Sequence, residues 1–429
     1  MVKVLRDKTV ELEEFLGSTY QDLAQYEERV QEMGVDIKNR GNEAVLDYTR
    51  RFDGADLTIN SFLVSSRDIA EAYGLIDDDF LPAIQAAISN IRDFHSKQLK
   101  PSWMEPDRQG NILGMMRKPL ARVGIYVPGG TAAYPSSVMM NAIPAQVAGV
   151  SEIVMVSPPD KDGRLNPYTL VTANELGIKE IYKVGGAQAI FCLAWGTETV
   201  RRVDKITGPG NIYVTLAKKM VYGDVDIDML AGPSEILIIA DSQANPAYVA
   251  ADMMSQAEHD VLARSIVITD SEDLIGRIQS ELERQMVGLS RKEIINTSLK
   301  DYGAFILVDN MEAACAVANR VAPEHLEIVT SNPFNLLGKI DNAGAVFLGE
   351  HCPEPVGDYY AGPNHILPTA GTARFYSPVS VDTFMKQTSV LYFSPQGFAA
   401  ARDHIAHLAD VEGLTAHANS IRIRKGEKQ

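Results

Sequence analysis

The sequence predicts an α/β protein built on parallel sheets with helices on both sides. Eight short runs rich in aliphatic residues recur along the middle of the chain: VGIYV from Val123, EIVMVS from Glu152, EIYKV from Glu180, EILIIA from Glu235, RSIVIT from Arg264, AFILV from Ala304, LEIVT from Leu326 and AVFLG from Ala345. They are apolar at successive positions instead of alternating, which fits strands covered on both faces. Helical stretches separate them, which favours parallel pairing through crossovers.

The elements follow in order. Residues 11–50 read as exposed helix, with Leu12, Phe15 and Leu16 at helical spacing, then Ala44, Val45 and Tyr48. A longer helix is expected over 79–100, where Ile84, Ala87, Ile88, Ile91 and Phe94 share a side. Polar turn residues come next, and then the first buried strand. Further helices are expected at 136–150, 169–176, 187–195, 213–221, 246–259, 271–285 and 311–321. Eight strands can form one large sheet, two smaller ones or a (β/α)₈ barrel, and strand count alone does not choose. After about Ser380 the alternation stops; a helix over 398–408 and a basic end, IRIRKGEKQ, close the chain.

Composition narrows the function. The 429 residues allow more than one domain, and 45% hydrophobic with 22% charged residues is ordinary for a globular protein. A formal charge of −16 argues against nucleic acid as a partner, because phosphate recognition needs a basic face. Three cysteines, with no C-x-x-C pair, give no disulfide framework and point to a reducing compartment. The opening MVKVLRDKTVELEEFL reads as no signal peptide, and no segment approaches the ~20 apolar residues of a membrane span. A cytoplasmic protein is expected.

Several groups of residues can carry chemistry. Glycine-rich turns occur at Val127–Ser137, Gly185–Ala189 and Gly208–Asn211, each between a strand and a helix. Such turns present backbone N–H groups to an anion, but they are also ordinary in α/β proteins, and the G-x-G-x-x-G fingerprint is absent. Gln256 and His259 share a helix face at spacing i, i+3, where an amide oxygen and an imidazole can meet one cation; a surface histidine would look the same. Asp358, in a loop rich in Gly and Pro, and His417, near the C-terminus, are more distant candidate ligands. Glu324 and His325 can serve acid–base chemistry or form a solvated turn. As neighbours in sequence, their side chains should diverge and do separate jobs. Cys192 and Cys315 read as small core residues, and Cys352 as the one nearest the surface.

Taken together, these segments resemble the histidinol dehydrogenase family over essentially the whole chain. The resemblance rests on YVPGGTAAYPSSVMMNAIPAQVAGV from Tyr126, VGGAQAIFCLAWGT, VDKITGPGNIYV, LAGPSEILIIAD, SQAEHD, RVAPEHLEI, GDYYAGPNHILPT and EGLTAH. It implies a four-electron oxidation of L-histidinol to L-histidine through L-histidinal, using two NAD⁺ and one zinc ion per subunit. It places the zinc ligands on Gln256, His259, Asp358 and His417, and the catalytic pair on Glu324 and His325. Substrate contacts fall on these metal ligands and His325 together with Ser234, His365 and Glu412. Cofactor contacts fall on Tyr126, Gln188 and Asn211.

The resemblance also implies two incomplete Rossmann-like parallel-sheet domains with small helical terminal segments. The N-terminal segment would span 1–22. One domain, carrying the zinc and catalytic residues, would take 23–125 with 236–379, and the inserted NAD-binding domain 126–235. Residues 380–429 would form a dimerisation segment that brings Glu412 and His417 to the partner's site in a homodimer. Two rival readings are a related NAD- and zinc-dependent enzyme acting on another small alcohol, such as a sulfonated diol, and a silent scaffold that binds both groups. A sulfonate calls for cations where Glu412 stands, and a scaffold has no use for Glu324 or His325.

Overall fold

A computed structural model describes residues 2–17, 24–129 and 133–424. Part of the expected helical region 11–50, the centre of the first glycine-rich turn and the last five residues lie outside that description. The described strands are, in chain order, β1 (Lys3–Arg6), β2 (Trp103–Pro106), β3 (Ile112–Pro119), β4 (Arg122–Tyr126), β5 (Glu152–Ser157), β6 (Glu180–Lys183), β7 (Lys205–Thr207), β8 (Asp226–Ile227), β9 (Glu235–Ala240), β10 (Arg264–Thr269), β11 (Ala304–Leu307), β12 (His325–Val329), β13 (Ala345–Leu348) and β14 (Met385–Tyr392).

Two compact units emerge, Met1–Gln98 with Leu120–Phe384, and Leu99–Pro119 with Met385–Gln429. The first holds two open parallel sheets, ordered β1-β11-β10-β9-β12-β13 and β6-β5-β4-β7-β8. Neither closes, so the barrel alternative falls. In β9 the continuous apolar run has a direct reason. Ile236 and Ile238 pack with Met253, Val267 and Phe305 on one face, while Leu237 and Ile239 pack with Ile266, Ile306 and Leu326 on the other. The second parallel sheet buries Val154, Val156 and Ile206 against Phe191 and Leu193 of the helix Gly186–Trp195 and Val214 of the helix Ile212–Val221.

All eight expected strands are present, but the chain carries others. β1 and β7 are short and include charged residues, so no apolar run announces them. The second unit departs further from expectation. Where polar turns were expected before Val123, β2 and β3 form, and the eight-residue β14 follows Ser380 instead of helix alone. These three make an antiparallel sheet, β14-β3-β2. β14, MKQTSVLY, is exposed or half-buried along its length and therefore lacks a core-strand pattern. Two helices, Pro395–Val411 and Thr415–Arg422, complete this unit. No helix among the described residues is long and apolar enough to cross a membrane.

Candidate active site

Each parallel sheet reverses direction of growth at one place. The chain builds β4, β5 and β6 outward, then returns to lay β7 on the other side of β4. A crevice at the carboxyl ends of such a pair is where open α/β sheets bind ligands. Tyr126 ends β4, and the turn Gly208–Asn211 follows β7. Tyr126 is buried, and its Oη accepts the Gly186 N–H at 3.1 Å, tying the β4 end to the turn after β6. Burial pushes the tyrosine up to about 12, so it stays a neutral hydroxyl. Gln188 is 1% exposed, and its Nε2 has no hydrogen-bond partner among the described residues. A buried donor left in that state costs free energy unless a ligand meets it. Asn211 caps the helix Ile212–Val221, its Oδ1 accepting from Tyr213 and Val214 at 3.1 and 3.2 Å. Its amide nitrogen takes no part in this cap.

In the other sheet the reversal lies between β9 and β12, yet the titratable residues gather at the amino ends of these strands. Ser234 immediately precedes β9, Glu235 opens it, and His325 opens β12 directly after Glu324. The register pairs His325 with Ile236. The helix Pro246–Ala257 runs back from β9, so its last turn returns to the same end. Gln256 is fully buried there. The helix stops at Ala257, so His259 sits exposed in the turn beyond it, not on the helix face the spacing predicts. The peptide N–H of His259 still bonds the Gln256 carbonyl, at 3.2 Å, keeping the two residues adjacent.

Glu324 and His325 are both buried, which removes the solvated-turn alternative. Glu324 Oε2 accepts the Glu235 N–H at 2.9 Å, and burial pushes this carboxyl up to about 8. His325 Nδ1 lies 3.1 Å from the Glu235 carbonyl oxygen and 3.7 Å from Glu324 Oε2. The first is a hydrogen-bond distance; the second is not. Nε2 has no hydrogen-bond partner among the described residues and faces Asp358 Oδ1 at 3.7 Å. Burial opposes a charge on this ring, but the carboxylates of Glu354, Glu324 and Asp358 outweigh it and hold His325 well above its ordinary value. His365 Nδ1 lies 3.2 Å from the Asp358 carbonyl oxygen, and burial pulls this histidine down.

The sequence reading missed Glu354. The segment around Asp358, expected as a loop, forms a short helix, Glu354–Tyr359, entered through Pro353 and Pro355. Gly357 lets it approach Phe347, since a Cβ there would lie 2.6 Å from the ring. The helix sets Glu354 and Asp358 four residues apart on one side. Donor atoms of His259, Glu354 and Asp358 lie within 4.8 Å of one another. With its amide nitrogen turned toward Glu354, Gln256 donates to both carboxylate oxygens at 2.7 and 2.8 Å, and its amide oxygen points the other way. An imidazole nitrogen with carboxylate and amide oxygens is a donor set that suits zinc. The available signal was the i, i+4 acid pair in PEPVGDYY, hidden by its prolines. Burial also pushes Glu354 up to about 7 and raises Glu327, whose Oε1 accepts the Glu354 N–H at 2.8 Å.

Glu412 and His417 lie in the second unit. There they line a groove with Leu408 and Leu414 between its two helices, both side chains exposed. The three cysteines are unpaired thiols, Cys192 and Cys315 buried and Cys352 half-buried, and burial pushes Cys192 up to about 12.

Fold and site define an α/β enzyme with a crevice at the switch point of a parallel sheet and a buried acid–imidazole centre. The sequence model of the histidinol dehydrogenase family matches residues 17–425. A histidinol dehydrogenase from Heliobacterium mobile is 56% identical over 424 residues, 99% of each chain. One from Bacillus subtilis is 53% identical over 390 residues, 91% of each chain. The crystal structure of histidinol dehydrogenase from Elizabethkingia anophelis matches with a TM-score of 0.93 at 40% identity, covering 99% of this chain and 98% of that one. The chain belongs to the histidinol dehydrogenase family and is an oxidoreductase.

Proposed function

We propose that the chain oxidises L-histidinol to L-histidine through L-histidinal, with two NAD⁺ and a bound zinc ion, in the last steps of histidine biosynthesis. The observation that carries this reading is the division between Glu324 and His325. Both are buried at one strand end, yet each is hydrogen-bonded separately to Glu235. A two-step oxidation needs a base for an alcohol and an activator for water, and two separately held groups can meet those needs.

NAD⁺ supplies the hydride acceptor, and zinc an anchor for the nitrogen atoms of the substrate. Gln256, His259, Asp358 and His417 would hold the metal, with Glu354 beside them. A dication held by Asp358 and beside Glu354 would offset the carboxylate charge that favours the protonated ring, so His325 can enter the reaction neutral. His325 Nε2 then takes the hydroxyl proton of the alcohol as hydride leaves its carbon. Glu324 takes a proton from water as the oxygen adds to the aldehyde carbon. His325, its first proton released to solvent, takes the hydroxyl proton of the hydrate anion as the second hydride leaves for the second NAD⁺, and the product is the carboxylate. Ser234, His365 and Glu412 complete the substrate pocket, and Tyr126, Gln188 and Asn211 the cofactor site in the 126–235 domain. No thiol is required.

The same reading makes the enzyme a homodimer, with Glu412 and His417 of the 380–429 segment serving the partner's site. Leu408, Val411 and Leu414, all exposed on that segment, give it an apolar surface for a partner. We place the enzyme in the cytoplasm, where its unpaired thiols suit a reducing compartment.

NADH formed per L-histidinol consumed tests the reaction. Two per substrate, lost on chelation and restored by zinc, is the expected result. One per substrate would remove the aldehyde step from this chain.

A further inference from the structure

Lys218 and Asp228 form an ion pair whose side chains are only 2% and 1% exposed, and the proposed chemistry uses neither. Such a pair is weak support for stability. Desolvating two charges offsets their attraction, and apolar groups of similar volume often serve as well. Its hydrogen bonds suggest another use. Asp228 Oδ2 accepts the Gly208 N–H at 2.7 Å, and Lys218 Nζ donates to the Gly208 carbonyl at 3.0 Å. Both backbone polar groups of one residue are therefore held by one ion pair. Asp228 Oδ1, besides pairing with the lysine, accepts the Met229 N–H at 2.7 Å.

Gly208 is the hinge of the turn after β7. Its φ is +121°, and a Cβ would lie 2.1 Å from the carbonyl oxygen of Tyr126. Only glycine lets this turn press against the end of β4. Asn211 follows three residues later and caps the helix that carries Lys218. The lysine thus reaches back along its own helix, in the direction helical side chains lean, and grips the turn that starts it.

We propose that Lys218 and Asp228 are positioning residues. They fix the Gly208–Asn211 turn against Tyr126, so that its backbone and Asn211 are preorganised for the nicotinamide dinucleotide. This rests on the reading of Tyr126, Gln188 and Asn211 as cofactor contacts.

The test compares Lys218→Met with the double variant Lys218→Met/Asp228→Leu, each as zinc-loaded enzyme. Four quantities are read: KM for NAD⁺, Kd for NADH by fluorescence titration, KM for histidinol with kcat at saturating NAD⁺, and Tm. Lys218→Met strands a buried carboxylate, so both Tm and cofactor affinity should fall. The double variant removes that charge and should recover part of the lost Tm, the Gly208 and Met229 backbone groups it leaves unpaired accounting for the rest. Its KM for NAD⁺ and Kd for NADH should stay about tenfold raised, with kcat and histidinol KM within about twofold of the parent. Recovery of cofactor affinity together with Tm would make the pair merely structural and overturn the proposal. If the single variant does not fold, the double variant decides alone. Asn211→Ala and Gln188→Ala separate the underlying reading. If neither weakens NADH binding, the cofactor site is misplaced and the proposal falls with it. If both do while the double variant binds normally, only the positioning role falls.

Discussion

The backbone carbonyl oxygen of Glu235 lies 3.1 Å from Nδ1 of His325. A carbonyl only accepts, so Nδ1 carries the ring proton in the neutral form, and Nε2 is the nitrogen with a free lone pair. That places the basic atom on the Asp358 side of the ring. His325→Asn keeps a polar group at the strand start but offers no basic nitrogen. Turnover should fall by about 10²-fold or more, given the usual contribution of a general base, while NADH binding persists. Stopped-flow NADH formation measures this, and unchanged turnover would remove His325 from the role.

Glu324→Gln retains an oxygen to accept the Glu235 N–H and loses the ionisable oxygen. The variant should slow oxidation of added histidinal more than the first oxidation of histidinol. Single-turnover rates with each substrate separate the steps. Equal slowing of both would mean that Glu324 does not act on water alone.

These two residues show how far the sequence could be read. The strands were legible because β9 and its neighbours are apolar on both faces, a pattern that local composition records directly. β7 was not, since three residues with a lysine leave no pattern, and β14 was not, since an exposed antiparallel strand needs no apolar run. Glu324-His325 stood out as a pair, but burial decides between a solvated turn and a reactive site, and burial comes from chain segments far away. Gln256 and His259 had an informative spacing even though the helix ends between them. Glu354 was missed because the prolines around it mask a short helix, and its meeting with His259 is purely tertiary.

Glu354 gives a prediction that does not depend on the familiar ligands. It receives the Gln256 amide and stands within the His259–Asp358 donor group. Glu354→Gln removes a negative charge and leaves the Gln256 nitrogen facing a partner with its own amide hydrogens. Zinc affinity should fall by about 10- to 100-fold, as is typical when a group supporting metal ligands is altered. Competition with a chromophoric chelator measures it. An unchanged affinity would make Glu354 a structural acid only.

Asp53 offers a test away from the metal. Burial pushes its carboxyl up to about 6, and its Oδ2 has no hydrogen-bond partner among the described residues. In the unfolded chain it titrates near about 3.9, so between these values the folded state holds more protons. Its contribution is fully present below the unfolded value and is lost as pH rises through the folded one. Asp53→Asn should therefore be more stable than the parent at pH 7.5, by about 1 kcal/mol once partial solvent screening is allowed for. The advantage should shrink to about a third at pH 4.5 and close only below the unfolded value. Urea midpoints at the two pH values measure it, and a gap independent of pH would remove the titration from the explanation.

Sharing of sites between subunits is tested by mixing two damaged chains. His417→Asn should lose metal affinity, and Glu324→Gln should lose the second oxidation. If each site takes Glu324 from one subunit and His417 from the other, a mixed dimer pairs the intact Glu324 of the first variant with the intact His417 of the second. The other site of that dimer carries both changes. In an equal mixture, half the dimers are mixed, so about a quarter of all sites regain full function. Co-refolding the two variants and assaying NADH per histidinol reads this directly. Activity that stays at the sum of the separate variants would place His417 in the site of its own chain or in none.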